Sequence, residues 1–450
     1  MLVSRSYVAR LAALVVSAAV VVTPARVEAR PMASAARTVS TTTSAQSRGP
    51  KVNMATLKGQ GGLAFTWGKA LYTATATDTT PHLVTNVPFK NPAWSADGRW
   101  LAYIQIKGAD QSLWVAHGDG SGAHAVAGLT AAAGFVWSPT SDTLAVSGAP
   151  AMQLKAGLSV WLVTPGGKPR LLIAGAAGPA WSPDGRMVAA EIRRAGVLGA
   201  ADVESLVTIP ATGGPLALHI AAGQSGIIFE GWWPNSQGLL FQVDPNYSAS
   251  IAADGLPLYS VSLHGKPKML TTTLGYGDWL SWAPRGADLL VVSGAGREIW
   301  TGKSLRRCNV ATGACHAVPT PKGSAALDPA WSPDGKQIAY VLARDAGNRG
   351  GFGSAKGNAA WVAGRTLWIA DSSGANAHAL RSAGSGIYQP MWAHGGGSLF
   401  YIRDNTLWRV GAGGGLPTKV VGPFPTAPPS YPFGYYGHLS WTNLLAWQDT

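Results

Sequence analysis

Charge is scarce in this chain. Only 13% of its 450 residues are Asp, Glu, Lys or Arg, against about a quarter in an ordinary soluble domain, which excludes a helical bundle or coiled coil laced with Glu and Lys. Cysteine is scarcer still. Two residues are too few for a disulfide scaffold or a multi-cysteine zinc module. Long apolar runs are missing too: Leu11–Val22 is shorter than the ~20 residues a membrane span needs, and no later stretch is long enough. No serine carries glycine at both −2 and +2, so the nucleophile elbow of α/β-hydrolases is absent.

What is abundant points one way. The chain holds 57 Gly, 30 Pro and 19 Trp and is 46% hydrophobic. That is enough apolar residue for a large core, and the frequent Gly and Pro cut it into short runs, the composition of an all-β protein with tight turns.

The first segment reads as a targeting element. Arg5 and Arg10 precede the apolar run, and Thr23-Pro24-Ala25 and Val27-Glu28-Ala29 offer small-residue cleavage positions, so residues 1–29 are expected to be a secretory signal peptide. An uncleaved anchor is the alternative. Residues 30–60, rich in Ser, Thr and Ala without hydrophobic period, are expected to be a flexible tether. Cleavage removes Arg5, Arg10, Arg26 and Glu28, so the net charge falls from +13 to +11. A basic exported chain favours anionic surfaces, with solubility alone as the plainer explanation.

The remainder repeats itself. Asn91-Pro-Ala-Trp94-Ser-Ala-Asp-Gly98, Gly134-Phe-Val-Trp137-Ser-Pro139, Gly178-Pro-Ala-Trp181-Ser-Pro-Asp-Gly185 and Glu230-Gly-Trp-Trp233-Pro-Asn-Ser236 begin the series. Trp279-Leu-Ser-Trp282-Ala-Pro284, Asp328-Pro-Ala-Trp331-Ser-Pro-Asp-Gly335, Gln389-Pro-Met-Trp392 and His438-Leu-Ser-Trp441 continue it. Aligned on Trp94, Trp137, Trp181, Trp233, Trp282, Trp331, Trp392 and Trp441, the spacings are 43, 44, 52, 49, 49, 61 and 49, the period of radial β repeats. Where it is complete, Pro-Asp-Gly supplies a turn, and strand-like runs follow, such as Lys336–Val341 and Thr366–Ala370. Four antiparallel strands per unit make one propeller blade, with the repeated indole as the wedge between neighbouring blades. Residues 63–85 read as later strands of a blade that lacks its first. His438–Trp441 is expected to supply that strand, closing the ring and removing its edges. The fold expected is one β-propeller over residues 61–450, with eight four-stranded blades, or seven if one degenerate copy fails to form.

The W-S-P-D-G-K/R-x-I/L-A-Y pattern, closest at Trp94, Trp181 and Trp331, resembles the repeat of TolB-like propellers, shared with the propeller of prolyl-oligopeptidase relatives. The resemblance covers nearly all of the mature chain. It implies the propeller fold and, carried over from TolB, binding of a peptidoglycan-associated lipoprotein at the propeller mouth. The family also resembles oligogalacturonate lyases, which bind a metal through histidines clustered near the axis.

The chemistry-bearing residues do not converge. His82, His124, His316 and His378 occupy similar places in outermost strands, spread around the rim, and no cluster suits a metal. Asp97, Asp184 and Asp334 each sit in a W-S-P/A-D-G turn, where turn formation is the expected role. Cys308 and Cys315 flank a Thr312-Gly313 turn and are expected to form a cross-strand disulfide in an exported protein. No catalytic residue and no cofactor is expected.

Binding residues are sought on the face opposite the uniform W-S-P-D-G turns, where connections vary in length. The longest, 344–365, carries Arg344, Arg349, Phe352, Lys356, Trp361 and Arg365, and neighbouring connections add Arg297, Trp300, Tyr435 and Tyr436. Aromatic residues beside Arg suit protein or glycan recognition. The function expected is a non-catalytic exported propeller, monomeric, that binds or scaffolds an envelope protein or an anionic cell-surface polymer in the periplasm or outside the cell. Nucleic acid is not an expected partner. The alternative is an extracellular polysaccharide lyase or glycoside hydrolase with its site in the mouth, which needs acidic groups converging near the axis.

Overall fold

A computed structural model of the chain describes residues 49–129, 131–150, 157–194, 203–223, 225–347, 355–428, 431–442 and 444–448. The expected signal peptide and the tether as far as residue 48 lie outside these. Eight four-stranded antiparallel blades form a closed ring. The sheets of blades 2 and 3 are joined by one parallel pair, Gln111 with Ala131.

Each blade's first strand lies innermost and ends at the repeated tryptophan. That residue pairs near the start of the next strand: Trp94 with Leu101, Trp137 with Leu144, Trp331 with Ile338. The indoles are buried, and four donate Nε1–H to the carbonyl just before the tryptophan of the preceding blade. Trp137 reaches Ala93 O at 2.9 Å, Trp232 reaches Ala180 O at 3.0 Å, Trp392 reaches Ala330 O at 3.2 Å, and Trp94 reaches Ala446 O at 3.1 Å. The wedge role of the repeated indole therefore holds, with an added hydrogen bond across the seam.

This pattern corrects the expected alignment twice. The residue of blade 5 in the wedge position is Trp232, paired with Leu239; Trp233 takes the place that serine holds in Trp-Ser-Pro-Asp-Gly. At the ring closure the wedge is Trp447, paired with Leu63, and the closing strand is Leu445–Gln448 rather than His438–Trp441. Trp441 is fully buried elsewhere, against Phe424 and Tyr431. A Leu-Ser-Trp motif resembles the repeat locally, but only 445–448 has the register to extend the edge of Gly62–Trp67.

The tether expectation also shifts. From Val52 onward the chain is docked on blade 8: Val52 bridges Val421, Asn53 N–H donates to Val420 O at 2.7 Å, and Leu57 of the short helix Met54–Leu57 is fully buried.

The turns behave as expected. Ser182 Oγ donates to Asp184 at 2.6 Å, and Asp184 accepts Arg186 N–H at 3.1 Å. Ser332, Asp334 and Lys336 repeat the arrangement at 2.7 and 3.0 Å. These aspartates build turns in separate blades. Cys308 and Cys315 are register partners joined by a disulfide across the hairpin of blade 6.

Four inner strands carry a bulge just before Pro-Ala-Trp or Pro-Met-Trp. Asn91, Gly178, Asp328 and Gln389 take φ of 54°, 60°, 48° and 46° there, and the pairing register slips. A bulge re-aims the side chain it carries, which places Asp328 and Gln389 in the channel wall.

The seam of blades 4 and 5 is polar. Glu204 Oε2 accepts Ile227 N–H and Glu191 Oε1 accepts Phe229 N–H, each at 3.0 Å. The adjacent Glu230 is buried, and desolvation first, then the charge of Glu191, pushes its carboxyl up to about 8. The folded value exceeds the unfolded one, so this stabilisation is complete below about pH 4.5 and is lost as pH rises through about 8. Thermal melts should show wild-type midpoints falling by several degrees between about pH 6 and 9, with Glu230→Gln markedly flatter. Equal slopes would contradict the assignment. Deleting residues 445–450 should leave Gly62–Trp67 an open edge, seen as concentration-dependent aggregation by light scattering.

Candidate mouth site over blades 6 to 8

The connection that follows the last strand of blade 8, Gly414–Val421, does not pass directly to the closing strand. Residues 431–442 instead run over the mouth of blades 6 to 8. Tyr388 Oη donates to Pro432 O, Ile299 N–H donates to Tyr436 O at 3.1 Å, and Tyr435 pairs with His438 in a tight turn. We refer to this segment as the strap.

Its anchor is His438. The imidazole lies flat on Tyr276, with centroids 3.6 Å apart and planes 2° off parallel, and Nε2–H donates to both oxygens of Asp278 at 2.9 and 3.1 Å. Asp278 belongs to the short 3₁₀ turn Gly277–Trp279 entering blade 6. The pairing of His438 with Asp278 did not stand out in the sequence, because 160 residues separate them.

Beside this pair stands a second, deeper one. Arg365 Nη2 donates to Asp328 Oδ2 at 2.6 Å, with side chains 2% and 7% exposed. Arg365 Nε–H donates to Ile387 O at 2.9 Å, Gln389 N–H donates to Asp328 Oδ2 at 3.2 Å, and the guanidinium lies 4.1 Å from the centroid of Tyr388. Burial pushes the Asp328 carboxyl upward, opposed by Arg365. Arg365 was expected on the binding surface; it is a buried tie between blade 7 and blade 8. Trp300, also expected there, is buried with 4% exposure.

The other expected residues divide. Arg349 and Phe352 lie outside the described residues. Lys356 falls in the helix Ala355–Ala363, which occupies much of what reads as a long loop. Arg297 is held by Asp254 through two bonds of 2.6 Å and lies 5.5 Å from the Tyr436 centroid. Tyr435 is exposed at the strap's turn.

Among the described residues, two cavities lie along this wall and mouth. One of about 480 Å³ follows the channel wall of blades 6 to 8, from Asp278, Asp328 and Gln389 down to Trp282, Trp331 and Ser332. It reaches the W-S-P-D-G turns, a face expected to be purely structural. The other, about 210 Å³, is a cleft at the mouth bounded by Trp300, Arg344, Trp361 and Phe433. Phe433 lies 5.5 Å from Trp300 and 6.2 Å from Trp361 between centroids, and Trp361 Nε1–H donates to Arg344 O at 3.0 Å. Arg344 itself is exposed. Among the described residues no group of three or more His, Cys, Asp or Glu is placed to hold a metal, and no helix is long and apolar enough to cross a membrane.

No family model matches the chain, and no curated protein does. Solved structures match by fold. Dipeptidyl peptidase 4 of Porphyromonas gingivalis is 10% identical over 83% of this chain and 59% of its own, with a TM-score of 0.52. A prolyl endopeptidase is 10% identical over 75% of this chain and 50% of its own, at 0.47. TolB of Acinetobacter baumannii is 13% identical over 87% and 67%, at 0.37. The chain thus spans about half the length of the prolyl endopeptidase and 59% of that of the dipeptidyl peptidase. At these identities the likeness is one of fold, and folds of this kind host unrelated activities.

Removing one partner of a buried ion pair strands the other charge. Arg365→Met should therefore destabilise the protein by about 3–5 kcal/mol in denaturant titration, and adding Asp328→Asn should recover part of that. A loss under about 1 kcal/mol, as for exposed pairs, would refute the buried tie.

Proposed function

We propose that the chain is an exported, non-catalytic β-propeller that binds a protein or anionic polymer at the cell envelope through the mouth over blades 6 to 8. The observation that carries this reading is the cleft itself. Trp300, Trp361 and Phe433 come from three separate segments and meet beside the exposed Arg344. Aromatic walls with a cation at the rim suit recognition by burial and charge together. The net charge of +11 left after removal of residues 1–29 favours an anionic partner by long-range attraction. The W-S-P-D-G repeat's resemblance to TolB-like propellers agrees with an envelope setting.

Binding is preferred to catalysis because the two carboxylates that share the larger cavity are both engaged, Asp278 by His438 and Asp328 by Arg365. A glycoside-cleaving pair needs one carboxylic acid and one carboxylate free to face the substrate.

The test immobilises the protein without residues 1–29 and challenges it with envelope extract of its source organism. Retention should fall in high salt and drop about tenfold with Arg344→Glu, an exposed substitution that leaves the melting temperature unchanged. Retention indifferent to both would overturn the reading.

A further inference from the structure

We propose that the mouth cleft takes the C-terminal residue of a partner polypeptide, its free carboxylate on Arg344 and its apolar side chain in the space lined by Trp300, Trp361 and Phe433. This rests on the binding reading above and names the partner's chemistry.

Size comes first. A cleft of about 210 Å³ has room for one large side chain. Shape comes second. Trp300 belongs to the connection of blade 6, Arg344 to the end of a blade 7 strand, Trp361 to the helix Ala355–Ala363, and Phe433 to the strap. Walls from four segments make a cleft suited to a single side chain.

The charges give the third constraint. The adjacent acid, Asp345, is turned to backbone amides: Oδ2 accepts Gly302 N–H at 3.0 Å and Oδ1 accepts Gly347 N–H at 2.8 Å. The Arg344 carbonyl is tied to the Trp361 indole, which fixes the backbone of this exposed arginine against the aromatic wall. The same surroundings show what this chemistry holds, since Arg365 sits on a carboxylate between Trp361 and Tyr388. A guanidinium grips a carboxylate by two parallel bonds. In a terminal residue the carboxylate and the side chain leave the same Cα, so one residue satisfies wall and rim together. An internal Asp or Glu offers the charge without an apolar group, and an internal Phe or Leu the reverse.

Calorimetric titration with two probes tests this: acetyl-Ala-Ala-Ala-Phe with a free carboxylate, and the same peptide amidated. The free acid should bind, the amide at least about tenfold more weakly, as expected when a charge-assisted hydrogen bond is lost. Arg344→Gln, with unchanged melting temperature, should erase the difference. Equal affinities for acid and amide, or a difference that survives Arg344→Gln, would overturn the assignment. Failure of both peptides to bind while envelope retention still depends on Arg344 sinks this inference and leaves the binding function standing. In the same way, Arg344-dependent binding of amidated polyglutamate, with no preference for the free-acid peptide, assigns the cleft to internal anions and overturns end recognition.

Discussion

A ring of sheets holds only if every seam holds, and here each seam is organised around one indole. Burial of the tryptophan supplies most of the attraction, while the Nε1–H bond seen at Trp94, Trp137, Trp232 and Trp392 sets where one inner strand stands relative to the last. The bond from Trp94 to Ala446 O is the consequential one, because it joins the two ends of the chain. With that seam made, the first and last strands pair, no sheet edge is left open at the closure, and the channel has a complete wall.

Closure creates the site. Because the closing strand is Leu445–Gln448, the preceding segment has slack to spend, and it runs over blades 6 to 8 before turning inward. The strap is held by unlike contacts, a stacked and hydrogen-bonded imidazole at one point and a buried tryptophan at another. Beneath it the bulged inner strands turn Asp328 and Gln389 toward one another's blades, and Arg365 joins them. The mouth site therefore depends on the same closure that stabilises the ring.

The blades were readable from the sequence for a local reason. A turn of Ser, Pro, Asp and Gly makes its hydrogen bonds within five residues, so its spacing reports the architecture directly. The disulfide was readable in the same way, from two cysteines flanking a short turn. Where copies of the motif degenerate, the local signal misleads. Trp232 and Trp233 both pack against a neighbouring blade, but only Trp232 bonds back to blade 4, and Trp441 mimics the motif at a position where no partner strand waits.

Most of the site was not readable. Arg365 and Trp300 look like a surface arginine and a surface aromatic, yet both are buried, because the helix Ala355–Ala363 and the strap cover them. His438 and Asp278 look isolated in sequence and meet only across the mouth. The sequence alone determined that this chain is a Trp-wedged propeller with a basic, varied mouth, since repeats and turns are short-range facts. Which blade the strap crosses, which carboxylate meets which cation, and which arginine is left at the rim were decided by tertiary structure, because those contacts join residues tens to hundreds of positions apart and exist only once the ring has closed.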